Sequence, residues 1–209
     1  MSISLSHSIS GKREPKRQNR WVLKFENVPY FSGDNIDTYS NGAVNMSESL
    51  AFDLVSASRP TLNYNSAELS RMNEKWKFAQ NPTWEPISVV FYDFDSGKSS
   101  ASQIMWRWMK VIYDVLNGTM GYAATYKVDA SLILLGPGQT SESGVASTEI
   151  EIVEAWDLFG MFPNQMNNGD LSYESTDALR VTVEFNYDFA NLHTGDDFGS
   201  PGGRWSTIS

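Results

Sequence analysis

Between Leu179 and Phe189 the chain alternates without a break. Leu179, Val181, Val183, Phe185, Tyr187 and Phe189 fall on one face, and Arg180, Thr182, Glu184, Asn186 and Asp188 on the other. A period of two with a single apolar face predicts an antiparallel strand, buried on one side and wet on the other. Arg20–Val28 follows the same rule, setting Trp21, Leu23 and Phe25 against Lys24 and Glu26. Leu50–Ala57, Lys75–Gln80 and Ile87–Phe94 predict three more strands, the first of them stopped by Arg59-Pro60. Tyr122–Leu135 predicts a long strand turned back at Gly136-Pro137-Gly138. Thr148–Leu158 then pairs with it as a hairpin across the Ser/Gly-rich loop 136–147.

One segment breaks this rhythm. Over Ser102–Leu116 the apolar residues Ile104, Met105, Trp108, Val111, Ile112, Val115 and Leu116 recur at helical spacing. Ser100-x-x-Gln103 fits a capping box at the start, and Asn117-Gly118 a stop at the end. A second stripe, Trp106, Met109 and Tyr113, leaves only Arg107, Lys110 and Asp114 as a polar edge. The chain's own sheet can cover one stripe. The second calls for a neighbouring subunit, so Trp106, Met109 and Tyr113 are candidate interface residues; the alternative is a helix sunk between two sheets of one domain.

The ends differ from this body. Residues 1–19 read as a flexible basic arm, 20–190 as the β domain, and 191–209 as a Gly-rich tail. The net charge of -9 is uneven: residues 1–20 carry Lys12, Arg13, Lys16, Arg17 and Arg20 against Glu14, whereas residues 128–209 set 13 carboxylates against Arg180 and Arg204. An acidic back half argues against ordinary nucleic-acid binding, because phosphates are repelled.

The residue inventory also limits the chemistry. There is no cysteine, and the 2 histidines, His7 and His193, lie near opposite ends. That argues against thiolate catalysis, Cys-containing zinc sites, multi-histidine metal sites and a Ser-His-Asp triad. No phosphate-binding glycine loop and no G-x-S-x-G is present. Asp93-Phe94-Asp95-Ser96-Gly97 opens like a calcium loop, but Ile104 stands where the bidentate glutamate belongs, so a turn leading into the helix is the better reading. No apolar run is long enough to span a bilayer, and the N-terminus lacks a signal-peptide core; the expectation is a soluble intracellular protein without membrane contact. Neither catalytic nor cofactor nor metal residues are expected. Most of the 7 tryptophans occupy strand or helix positions that core packing explains.

The order of segments resembles the tail tube proteins of contractile-tailed bacteriophages. Asn81-Pro82-Thr83-Trp84-Glu85-Pro86-Ile87-Ser88-Val89-Val90-Phe91-Tyr92-Asp93 resembles the strand before the family's helix, and Tyr126-Lys127-Val128 the strand after it. Ala155-Trp156-Asp157-Leu158-Phe159-Gly160-Met161-Phe162-Pro163 is similar to a family segment that usually has glutamate or another polar residue in place of Ala155. Asn168–Ser175 and Val181–Ala190 resemble the closing turn and strand.

This resemblance implies a mainly β fold, two packed antiparallel sheets (a β-sandwich or flattened barrel) with one flanking α-helix. It implies a non-enzymatic virion protein, assembled in the host cytoplasm as a homohexamer stacked into a tube. Its implied partners are the tail sheath protein, the tape measure protein, baseplate and tail terminator proteins, and double-stranded DNA in transit without specific binding. A carboxylate-lined bore is then expected, with Asp129, Glu149, Glu151, Glu184 and Asp188 as candidate lumen-facing residues from the polar faces of the long strands. Lys127 is expected to pair with Asp129 or with a carboxylate across the strand. The tube protein of a type VI secretion system or bacteriocin shares the fold and remains open. So does a relative at the baseplate end of the tube. From another class, a β-sandwich carbohydrate-binding module or hydrolase remains the alternative.

Overall fold

A computed structural model describes residues 16, 18–32, 35–38, 53–95, 100–136, 152–174 and 176–194. The elements run β1 (Trp21–Phe25), β2 (Pro29–Ser32), β3 (Asn35–Thr38), β4 (Leu54–Ala57), β5 (Thr61–Arg71), β6 (Glu74–Glu85), β7 (Ile87–Tyr92), α1 (Ala101–Ile112), β8 (Tyr113–Asp114), β9 (Thr119–Met120), α2 (Ala123–Tyr126), β10 (Val128–Leu135), β11 (Ile152–Asn167), β12 (Arg180–Asn186) and β13 (Phe189–Thr194). The fold is mainly β with antiparallel pairing throughout, as the alternation and the resemblance both indicated.

The central strand, β11, serves two layers. Its first half lies between β10 and β13, with β1 beyond β10; its second half pairs with β12, followed by β7 and β4. Gly160 makes the crossing possible. It takes φ +64°, and a Cβ there would stand 2.3 Å from Asp188 Oδ2. The chain passes from β12 to β13 beside it, where Asp188 N–H donates to the Phe159 carbonyl at 2.9 Å. Strands that change sheets at such corners need a residue without a side chain.

The alternating residues meet in the core as their period demands. Val181, Val183 and Phe185 of β12, Ile87, Val89 and Phe91 of β7, and Leu23 and Phe25 of β1 are all at most 1% exposed. Phe25 and Phe185, from opposite layers, stand 5.5 Å apart between ring centroids. Trp108 of α1 closes on both, at 6.0 and 5.8 Å. Its indole N–H donates to the Tyr126 carbonyl at 2.7 Å. Replacing such a buried tryptophan by alanine costs about 3–5 kcal/mol.

Several elements differ from expectation. The helix ends at Ile112, not Leu116, because Asp114 offers the backbone another partner: its carboxylate accepts the Leu116 N–H at 3.1 Å and the Asn117 amide at 2.7 Å. At the other end, Ser100 makes no side-chain cap, and its hydroxyl lies 3.3 Å from that of Ser102. Asp93 supplies the cap instead, Oδ1 accepting the Ser102 N–H at 3.1 Å.

Tyr122–Leu135 is not one strand, since residues 123–126 coil into α2 under the Trp108 indole. Strand β11 runs on to Asn167. The closing strand breaks at Tyr187–Asp188, which leaves Phe189 51% exposed, stacked on Phe159 at 4.5 Å. Strand β13 carries ordered pairing to Thr194, into the segment read as tail. β5 was not foreseen at all, and Lys75–Gln80 proves to be the middle of the much longer β6.

Candidate functional site

The described surface carries two open apolar faces. The first belongs to α1. Ile104, Met105, Trp108 and Val111 are buried, whereas Trp106 remains 60% exposed and Tyr113, the first residue of β8, 50% exposed. Met109 is half-buried. Tyr113 pairs across β8–β9 with Met120, and Val115, Leu116, Met120 and Tyr122 continue the exposed apolar surface. Val115 and Leu116, expected on the buried stripe, lie outside the helix and in solvent.

The second face is on the β5–β6 hairpin, and its register shows how it arises. Near the body, the pairs Leu62–Trp84 and Tyr64–Pro82 share one side. Trp84 packs against the core, 5.7 Å from the ring of Tyr187. A bulge follows between Tyr64 and Ser66. Beyond it the first side carries Ser66–Ala79, Glu68–Lys77 and Ser70–Lys75, while the other carries Ala67–Phe78 and Leu69–Trp76. The apolar side therefore changes face halfway along. Leu69, Trp76 and Phe78 are 56%, 53% and 50% exposed. Lys75 and Lys77 both pair with Glu68 on the polar side. Met72 at the tip is almost wholly exposed and takes φ +55°, a strained value for a side chain of this type. An isolated two-stranded ribbon is at best marginal in water, so a ribbon of this length with an open apolar side is short of a partner.

The candidate lumen residues divide. Glu149 and Glu151 lie outside the described residues. Asp129 accepts the Gly160 N–H at 3.1 Å. Lys127 donates to both Asp188 oxygens, at 2.6 and 2.8 Å, so its carboxylate partner is Asp188 and not Asp129. These groups brace the corner where β11 changes sheets. Glu184 lies apart from that corner, between Ser88 of β7 and Gln165 of β11. Its face also carries Thr182 and Asn186, both partly exposed. Ser131 of β10 is buried and donates to Asp157 at 2.9 Å.

Asp157 also stands 3.1 Å from His193 Nε2. The carboxylate thus sits between hydroxyl and imidazole, whereas a hydrolytic triad needs the imidazole in the middle. No group of three or more His, Asp or Glu among the described residues is placed to hold a metal. Trp21, Trp84, Trp108 and Trp156 pack in or against the core.

A third polar cluster escaped the sequence reading. Glu154 of β11 is 3% exposed, and its carboxylate receives Lys16 on Oε2, Arg59 on Oε1, and the Trp156 indole on Oε1 at 2.7 Å. Burial works against the charged form. The hydrogen bonds from Lys16, Trp156 and Arg59 outweigh it and hold the carboxyl below its usual range. Beside this cluster a cavity of about 580 Å³ opens between the N-terminal segment and β4, lined in part by Lys16, Trp21, Ala57, Arg59 and Leu132.

The open apolar faces are the kind of surface that calls for a protein partner. The chain belongs to the phage tail tube protein family, whose model matches residues 16–191. It is also similar in fold to a chain of the tube-terminating cap of the anti-feeding prophage, at 15% identity and TM-score 0.57, over 92% of this chain and 100% of that one. A chain of the sheath/tube terminator of the PVC extracellular contractile injection system gives 14%, 0.57, 88% and 100%. For the sheath-tube complex of that system the values are 15%, 0.54, 92% and 99%. No curated protein matches by sequence.

Proposed function

We propose that this chain is the repeating subunit of a phage tail tube: six copies close a ring, rings stack, and double-stranded DNA passes through the bore without being held. The observation that carries this reading is the pair of open apolar faces on two different elements of one chain. A contact joining two different patches is heterologous, and it propagates into rings or filaments instead of stopping at a dimer. Trp106, Met109 and Tyr113 form one such patch, and the distal hairpin face with Leu69, Trp76 and Phe78 the other.

On this reading the tube has a sheath outside, a tape measure protein within, and terminator and baseplate proteins at its ends. The assembled particle is a virion, built in the host cytoplasm. The β7–β12 face bearing Ser88, Thr182, Glu184 and Asn186 suits the bore, its cation Arg180 lying over the Tyr92 ring at 5.5 Å at the end of the strand. Hydroxyls and amides with a carboxylate give DNA little to adhere to, whereas a basic lining would bind phosphates at every ring. Asp129 and Asp188 contribute less, being engaged by the Gly160 N–H and Lys127.

Electron microscopy of the purified protein tests the reading, with sedimentation velocity alongside. Six-membered rings or stacked tubes are expected. The double variant Trp106→Ala/Tyr113→Ala should remain a folded monomer, since both side chains are at least half exposed in the single chain. A chain that stays monomeric at high concentration, even with an added tail nucleus, contradicts the proposal. A double variant that unfolds would place the stripe in the core.

A further inference from the structure

The Glu154 cluster joins parts of the chain that are far apart in sequence. Lys16 comes from the N-terminal segment, Arg59 from the three-residue link between β4 and the hairpin, and Trp156 from β11 itself. The hairpin root is also tied to the body by Ser58 N–H to the Ser88 carbonyl at 2.9 Å, by Ser88 N–H to the Ser58 hydroxyl at 2.8 Å, and by Trp84 against the Tyr187 ring. On the N-terminal side, Arg20 holds the Gly136 carbonyl at 2.9 Å and its own carbonyl accepts the Leu135 N–H. Lys16, which also lines the cavity, thus reaches the strand that Arg59 grips.

We propose that Glu154 is a latch coupling the N-terminal segment to the root of the β5–β6 hairpin, so that withdrawing Lys16 raises the pH at which Arg59 loses its charged partner.

The two oxygens are shared unequally. Arg59 and Trp156 both use Oε1, whereas Oε2 has Lys16. Removing Lys16 leaves a carboxylate that is almost out of solvent with one cation and one neutral donor. The charged form is then less well compensated, and the group takes up a proton at higher pH than before. Protonation removes the charge that Arg59 pairs with.

No other ionisable side chain competes at the paired positions: β10 presents Leu134 opposite Glu154, and β13 presents Thr194. Asp157 and His193 lie in register with the opposite face of β11. The sign follows from the lowered carboxyl. Its contribution is complete above the usual glutamate range and is lost as pH falls through the folded value; taking Lys16 away moves that loss upward. An acidic partner surface that takes up Lys16 has the same effect. The latch is a property of the single chain and stands or falls apart from the tube reading. Only its consequence, a hairpin root released at higher pH when Lys16 is engaged by a neighbouring copy, rests on that reading.

Nuclear magnetic resonance on the unassembled full chain tests it, because the Trp156 indole N–H reports directly on the Glu154 carboxylate. In the unaltered chain the indole resonance should titrate below the usual glutamate range, and the Ser58 and Thr61 amides should follow with the same midpoint. Lys16→Met keeps the aliphatic stem and removes the charge. It should raise both midpoints together by about one pH unit or more. Glu154→Gln should abolish the titration at all three reporters. An unchanged indole midpoint in Lys16→Met overturns the proposal, as does an indole that titrates while the root amides stay still. A titration that persists in Glu154→Gln overturns it as well, since the reporter then follows another group.

Discussion

Trp76→Ala on the hairpin separates the cost of assembly from the cost of folding. In the single chain Trp76 is 53% exposed, with Leu69 as its cross-strand partner. A tryptophan side chain offers about 250 Å² to burial, so ~130 Å² is available to a neighbouring copy. At ~25 cal/mol per Å² that area contributes about 3 kcal/mol to each contact. The loss corresponds to a weakening on the order of 100-fold per contact. Folding loses far less, because the truncation removes one cross-strand pair on an exposed ribbon, about 0.2–1 kcal/mol. For a chain of this length that lowers Tm by no more than about 4 °C. Sedimentation velocity over a concentration series gives the first quantity and thermal unfolding of the dilute protein the second. Assembly should move to much higher concentration while Tm hardly moves. Unchanged assembly would refute the hairpin as a contact, and a large fall in Tm would show that Trp76 is covered within its own chain.

Two further predictions concern the body of the fold. Gly160→Ala should destabilise by about 2–3 kcal/mol, combining left-handed strain with a Cβ driven into Asp188, whereas Gly118→Ala, with φ +65° but nothing within 4 Å, should show the strain alone. Denaturant unfolding compares the two, and equal losses would remove the corner from the account. Asp53 is pushed up by burial and by the charge of Asp93, so its ionised form costs stability at neutral pH, and the cost disappears as pH falls through the folded value. Asp53→Asn should therefore raise Tm at pH 7 and lose that advantage near about pH 3, as followed by thermal melts across pH; a uniform gain at every pH would contradict the electrostatic cause.

Local pattern in the sequence was enough for the mainly β class, the strands β1, β7 and β12, the buried helix stripe and the open second stripe. In each of these a side chain's environment follows from its place in a short period, and no distant residue changes it. The antiparallel pairing of β10 with β11 was legible for the same reason. What failed were positions where a remote group outbid the local signal. Asp114 ended the helix early despite an apolar pattern that ran on to Leu116. Asp93 displaced the Ser100 capping box, and the Trp108 indole coiled residues that alternate like a strand.

Strand β5 was hidden because its apolar residues change face at a bulge, and a switch of face halfway along erases the period of two. Lys127, Asp129 and Asp188 looked alike as polar-face residues of long strands. Only the crossing of β11 between layers turns them into braces for a corner, because it brings Gly160 against Asp188. Glu154, read as one acidic residue among many, became a buried carboxylate with two cationic partners for the same reason. Its neighbours Lys16 and Arg59 are more than ninety residues away along the chain, and only the folded sheet brings them together.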